Sequence, residues 1–143
     1  MATLEEKITG LEDREAIREL TAEYCHCIAA GDGSAVTALF CVDGAFVMGE
    51  RRVQGSAELS KFYATLSDNP PIPFIQNHVI DNYSPTQARG RCSVEIRMVQ
   101  DGEAVTAAGW YRDRYEKVNG TWKFSERDFI AFHMVPLKDG WAK

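Results

Sequence analysis

The sequence predicts an α+β protein on three observations: helical periodicity fills the first third, alternating strand patterns follow a proline-rich break, and the last two strands meet at Asn119-Gly120. Helices first and consecutive strands after imply a curved, mainly antiparallel sheet with the helices on one face. Thr3 with Glu6 three residues on forms a capping box, and Gly10 then closes a short first helix. A longer helix over residues 13–30 follows, because Ile17, Leu20, Tyr24, Cys27 and Ile28 recur at helical spacing before Gly31. Ser34 caps a third short helix through Phe40, residues 45–48 and 51–54 make a small hairpin, and residues 56–66 return to helix. Asp68-Asn69-Pro70-Pro71-Ile72-Pro73 cannot continue that helix and reads as a loop. Strands over 74–83, 88–99, 104–118 and 121–132 then form a meander, separated by Ser84-Pro85-Thr86, Asp101-Gly102 and Asn119-Gly120.

The 143 residues, 45% apolar and 26% charged, predict one domain over 1–143 with residues 134–143 as an apolar tail that covers a pocket mouth or a neighbouring subunit. No apolar run reaches the ~18 residues of a membrane helix, and the N-terminus lacks a secretory pattern, so the chain is expected in the cytoplasm and away from membranes. A net charge of −5 disfavours nucleic acid. Cys25, Cys27, Cys41 and Cys92 match no zinc spacing and read as free thiols. No metal or nucleotide motif is visible, so no cofactor is expected.

A tight turn at Asn119-Gly120 places Tyr111, Asp113, Tyr115 and Lys117 opposite Asp128, Glu126, Phe124 and Trp122, all on one face. Three carboxylates then share the end of an otherwise aromatic face, with Asp113 and Glu126 directly opposed, which points to a cavity whose polar end needs acids. Trp110, Arg112, Arg127 and Phe129 fall on the outer face in this register, and exposed aromatics there indicate a subunit interface in a homodimer or homotrimer.

The segments Asp13-Arg14-Glu15-Ala16-Ile17-Arg18-Glu19-Leu20 with Tyr24, Gly31-Asp32 with Leu39-Phe40 and Asp43, His78, Gly109-Trp110-Tyr111-Arg112-Asp113 and Gly120-Thr121-Trp122-Lys123-Phe124 resemble the SnoaL-like branch of the nuclear-transport-factor-two-like superfamily. That resemblance implies a cone-shaped α+β barrel around a deep pocket, in a superfamily of dehydratases, isomerases, cyclases, a dehydrochlorinase and proteins without known catalysis. It implies a base at His78, while Ala29 stands where the family's partner aspartate would be. Tyr24 matches the bile-acid dehydratase tyrosine.

The expected function is therefore a cofactor-independent lyase or isomerase acting on a hydrophobic, oxygenated, cyclic small molecule. His78 abstracts a proton, Tyr24 polarises a substrate oxygen, and Asp113 orients or relays. Tyr111, Glu126, Asp128, Phe40, Phe46 and Trp122 line the substrate site. The alternative is a non-catalytic binding or assembly module. Strand register leaves His78 open: a two-residue turn at Pro85-Thr86 aims Asn77 inward, a three-residue turn His78. Leu39, Phe40, Phe46, Phe74 and Trp122 are read as core.

Overall fold

The computed structural model describes residues 1–66 and 68–142; Lys143, the last residue of the predicted tail, lies outside them. Among the described residues three helices, α1 (Leu4–Ala29), α2 (Gly33–Ala38) and α3 (Ser56–Tyr63), pack against six strands, β1 (Phe40–Met48), β2 (Arg51–Gln54), β3 (Ile72–Tyr83), β4 (Gln87–Gln100), β5 (Glu103–Val118) and β6 (Thr121–Pro136). The strands form one sheet in the order β2-β1-β6-β5-β4-β3, antiparallel except where β1 runs parallel to β6. The sequence-predicted α+β class is the observed one.

The Thr3–Glu6 capping box is present, but Gly10 does not end the helix. A single break in propensity of about 1 kcal/mol is outweighed by packing on both sides of it, and a side chain at Gly10 would meet the Tyr83 ring at only ordinary contact distance, 3.7 Å. The predicted short and long helices are therefore one element of 26 residues. At α2 the cap is Asp32, whose carboxylate accepts from the Ala35 N–H at 3.0 Å, rather than Ser34. The predicted tail begins later than expected, since β6 runs on to Pro136 and pairs with β5 as far as Val105.

Asp13 fixes α1 to the sheet. Its Oδ1 takes the Trp122 Nε1–H at 2.8 Å and the Lys117 ammonium at 2.8 Å, and its Oδ2 takes the Tyr83 hydroxyl at 2.5 Å. Burial works to raise this carboxyl's pKa, but those three donors outweigh it and hold the group below its usual value. Further along α1, Ile17, Leu20, Tyr24 and Ile28 enter a core completed by Phe40, Tyr63, Tyr111, Tyr115 and Phe124.

One irregularity decides which residues point into that core. The hairpin starts as predicted, with Lys117 opposite Trp122 and Tyr115 opposite Phe124, but Ser125 is then an extra residue and Arg114 pairs with Glu126. A one-residue slip exchanges the two faces of a strand. Beyond the bulge Arg127 and Phe129 point inward, opposite Asp113 and Tyr111, while Glu126 and Asp128 point outward. The predicted inward acids Glu126 and Asp128 are thereby corrected, and so are the predicted outward positions of Arg127 and Phe129.

Strand β3 carries two such bulges, between Gln76 and Val79 and between Ile80 and Asn82. Asn77 sits at φ 56°, a left-handed conformation that asparagine tolerates better than most residues. The inward set consequently runs Pro73, Ile75, His78, Ile80, Tyr83. His78 turns inward through the bulges rather than through the length of the Pro85 turn. Phe74, expected in the core, lies on the other side, 45% exposed with the Arg97 guanidinium over its ring.

Candidate functional site

A cavity of about 360 Å³ opens between the end of α1, α3 with the loop after it, and the inner faces of β1, β4, β5 and β6. Its walls are apolar: Ile28, Phe46, Phe62, Leu66, Ile96 and Phe129, the prolines 70, 71 and 73, and Met48, Met98 and Met134. Thr65, Asn69 and Gln100 supply polar groups on that wall, and Tyr24, Tyr63 and Tyr111 supply hydroxyls.

The tyrosines come from three elements and meet because each is an inward residue of its own pattern. Tyr24 lies edge-on to Tyr63 and Tyr111 with ring centroids 6.2 Å and 5.8 Å away. The Tyr24 and Tyr63 hydroxyls are 2.9 Å apart, so one donates to the other and one O–H remains free. The Tyr111 hydroxyl has no hydrogen-bond partner among the described residues. Burial pushes the Tyr24, Tyr63 and Tyr111 phenols above their usual range, which keeps all three neutral donors at ordinary pH.

Beneath them lies a buried ion pair. The Arg127 Nε donates to Asp113 Oδ1 at 2.9 Å and Nη2 donates to Oδ2 at 3.1 Å, with both side chains fully buried. The guanidinium is stacked on Tyr111 at 3.7 Å, Tyr24 at 4.3 Å and Phe124 at 4.6 Å from the ring centroids. Its Nη1 is, among the described residues, the buried side-chain polar atom without a hydrogen-bond partner; the aromatic faces supply cation–π attraction in place of one. Burial works against the charged guanidinium, yet Asp113 and the surrounding phenols hold its pKa well above the usual value. At Asp113 burial pushes the carboxyl up, against the pull of Arg127 and Tyr115.

The pair continues to the predicted base. The Tyr115 hydroxyl donates to Asp113 Oδ2 at 3.0 Å, and the same oxygen lies 3.1 Å from His78 Nε2. The hydroxyl's one proton is directed to the carboxylate, so the network assigns the hydrogen to His78 Nε2, which donates to Tyr115. His78 Nδ1 faces Thr21 Oγ1 at 3.5 Å, and that hydroxyl donates to the Arg18 carbonyl at 2.9 Å. Burial, with the positive charges of Arg18 and Arg127, lowers the His78 pKa to about 4. The imidazole is therefore neutral at pH 7.

Of the residues singled out in the sequence, Tyr24, Tyr111 and Phe46 line the cavity. His78 and Asp113 belong to one hydrogen-bonded chain but not to the cavity wall, and Tyr115 stands between them. Phe40 is buried against Tyr24 and Phe124 instead of lining the site, and Trp122 is engaged by Asp13. Glu126 and Asp128 are on the opposite face, Glu126 bonded to Arg52 at 2.7 Å. Ala29 is exposed, eight residues beyond the Thr21 that contacts His78, about 12 Å along the helix. Tyr63 and Arg127 were missed as site residues. Among the described residues no group of three or more His, Cys, Asp or Glu side chains is arranged to hold a metal ion.

The model of the SnoaL-like domain matches residues 9–128, from α1 through the Asp113–Arg127 pair. The chain belongs to the SnoaL-like domain family. Solved structures with this SnoaL-like architecture include a protein assigned as a scytalone dehydratase from Novosphingobium aromaticivorans, 21% identical over 96% of this chain and 93% of the other, with a TM-score of 0.83. The hexachlorocyclohexane dehydrochlorinase LinA-type3 from Novosphingobium barchaimii is 17% identical over 96% and 98% of the two chains, with a TM-score of 0.82. A protein from Novosphingobium aromaticivorans assigned as an aromatic ring hydroxylase is 26% identical over 90% and 96%, with a TM-score of 0.81. Distant structural relatives of this SnoaL-like chain thus include lyases.

Proposed function

We propose that this chain binds a hydrophobic, cyclic small molecule with an oxygen acceptor, seated in the apolar cavity with that oxygen against the tyrosine hydroxyls. The observation that carries the reading is the unpartnered Tyr111 hydroxyl on a wall that is otherwise largely aromatic, aliphatic and thioether. That hydroxyl is open to the cavity, so a ligand carbonyl or hydroxyl that accepts from it adds about 0.5–1.5 kcal/mol net. At about 360 Å³ the cavity sits near the lower end of the roughly 300–1,000 Å³ typical of ligand pockets. The names of two of the similar structures, a hexachlorocyclohexane dehydrochlorinase and an assigned aromatic ring hydroxylase, support a cyclic ligand.

Proton abstraction needs a base within about 3 Å of the substrate, and no His, Asp, Glu, Lys or Cys lines the cavity among the described residues. Binding is therefore the reading the geometry supports best. A lyase or isomerase activity is a second reading, favoured by the neutral His78 in hydrogen-bonded series with Tyr115 and Asp113. It requires the substrate to reach beyond the tyrosines to His78.

One experiment separates the two. The protein is titrated with a panel of cyclic ketones and phenols in D₂O while NMR follows both ligand binding and loss of α-protons. Saturable binding without deuterium uptake supports the binding module. Uptake that disappears in His78→Ala, with the fold intact, establishes the lyase or isomerase reading. No saturable binding by any member would remove both.

A further inference from the structure

The hairpin of β1 and β2 sets a cation beside the cavity. Phe46 is the cross-strand partner of Val53, and Met48 of Arg51, so Arg51 leaves the edge strand on the face that carries the cavity residues Phe46 and Met48. Arg52 alternates to the other face, where it bonds Glu126 at 2.7 Å. The Arg51 guanidinium lies over the Phe62 ring, 4.9 Å from its centroid, and Phe62 is in turn stacked on Phe46 at 5.4 Å. Phe62 and Thr65 form a shared wall: they line the apolar cavity and also a second depression, of about 410 Å³, that holds Arg51, Lys61 and Glu58. Met48 and Thr65 are exposed, so the cavity opens along this edge. An apolar hollow and a cationic one thus adjoin across one ring. Among the described residues Arg51 takes part in no ion pair, neither with Glu50 beside it in the chain nor with Glu58 across the depression. Lys61 is engaged by Glu58 at 3.3 Å, but both groups are largely exposed, and such a pair holds weakly.

We propose that the ligand is a cyclic amphipathic acid: its apolar body fills the cavity, and its carboxylate extends past Phe62 to the Arg51 guanidinium, with Lys61 as a second cation nearby. The inference rests on the binding reading above and adds the ligand's charge to it. Contact with Phe62 uses the flat face of the guanidinium and leaves its N–H edge open. The ring therefore holds a forked donor at the opening without satisfying it. A carboxylate fits that fork through two parallel hydrogen bonds, which a neutral carbonyl cannot match in strength. The chain as a whole carries a net charge of −5 and repels anions, so a cation fixed at the opening gives an acid a local reason to bind there. The acceptor oxygen at the tyrosine hydroxyls and the carboxylate at Arg51 are then separate polar ends of one molecule, and together they fix which way its body enters.

The test is isothermal titration calorimetry with naphthoylpropionate, a two-ring ketone with a short carboxylate arm, and with its uncharged primary amide. The samples are the unaltered chain, Arg51→Gln and Arg51→Lys. The unaltered chain should bind the acid roughly tenfold more tightly than the amide, and added salt should shrink that preference. Arg51→Gln should abolish the preference while leaving the amide's affinity unchanged, which also shows that the cavity is intact. Arg51→Lys should restore part of it, since lysine supplies the charge without the fork. Equal binding of acid and amide by the unaltered chain, or a preference that survives Arg51→Gln, would overturn the inference and leave the cavity reading standing. A folded Arg51→Gln chain that binds both compounds less tightly by the same factor would overturn it too, because Arg51 would then serve only to cover Phe62. If Arg51→Gln does not fold, the unaltered chain decides: a preference insensitive to salt overturns the inference. Binding of neither compound would remove the cavity reading and this inference with it.

Discussion

Arg127 is an arginine with no exposure to water, and its environment shows what holds it there. Two of its nitrogens are matched to the Asp113 carboxylate and its flat faces are covered by Tyr24, Tyr111 and Phe124. Removing one partner strands the other charge, so Asp113→Asn or Arg127→Met should each destabilise by about 3–5 kcal/mol. Replacing both, as Asp113→Leu with Arg127→Met, should cost much less than the sum. Urea denaturation of the three variants reads this directly, and additive losses would show that the pair is not coupled. His78 makes a separate prediction. Its pKa in the folded chain is about 4, below the unfolded value near 6.5, so the unfolded state binds more protons between those values. Stability from this group is full above pH 6.5 and is lost as pH falls towards 4. His78→Gln should flatten the denaturation midpoint across that window; an unchanged slope would move the acid sensitivity elsewhere.

At the scale of elements, bulges decide which chemistry faces inward. The helical first third and the meander from β3 to β6 were legible because the Thr3 cap, Asn-Gly and alternating apolar runs are local signals, whereas the parallel pairing of β1 with β6 has no local mark, and the resemblance to the SnoaL-like family was carried by short motifs. Glu126 and Asp128 were misread, while Asp113 was not, because register was extrapolated from the turn past Ser125 without interruption. A signal for the slip was present: along β6 the buried aromatics are Trp122 and Phe124, then Phe129, a change from even to odd positions that an unbroken strand cannot accommodate. The same reasoning applies to β3, where the inward set shifts from Ile75 to His78. Tyr63 was passed over because nothing local marks a helix-end tyrosine as the partner of Tyr24, a contact spanning 39 residues. Two substitutions probe the bulges. Asn77→Gly should be nearly neutral, whereas Asn77→Val forces a β-branched residue to φ 56° and should cost about 1–3 kcal/mol in thermal unfolding. Deleting Ser125 makes Phe124 and Glu126 consecutive opposite Tyr115 and Arg114, which leaves Arg127 inward and Glu126 and Asp128 outward, so the product should keep its fold by circular dichroism and lose only the local bend of β6.

Over the whole molecule, α1 separates stability from binding. Asp13 ties it to β3, β5 and β6 through Tyr83, Lys117 and Trp122, while Tyr24 and Ile28, up to fifteen residues on, reach the cavity about 20 Å away. Asp13→Ala should lower the melting temperature without altering ligand affinity, and Tyr111→Phe should weaken binding by roughly threefold to tenfold, on the scale of one hydrogen bond. Their effects should combine additively at this separation, and a coupling above about 0.5 kcal/mol would show that the two ends communicate. The methionines carry a different implication. Beyond Met1, every methionine of the chain, Met48, Met98 and Met134, is on the cavity wall, with Met48 38% and Met134 45% exposed. Peroxide converts a thioether into a polar sulfoxide, so an oxidised preparation would lose its affinity for apolar ligands while keeping its fold, and oxidative damage to this protein would first be felt at the pocket.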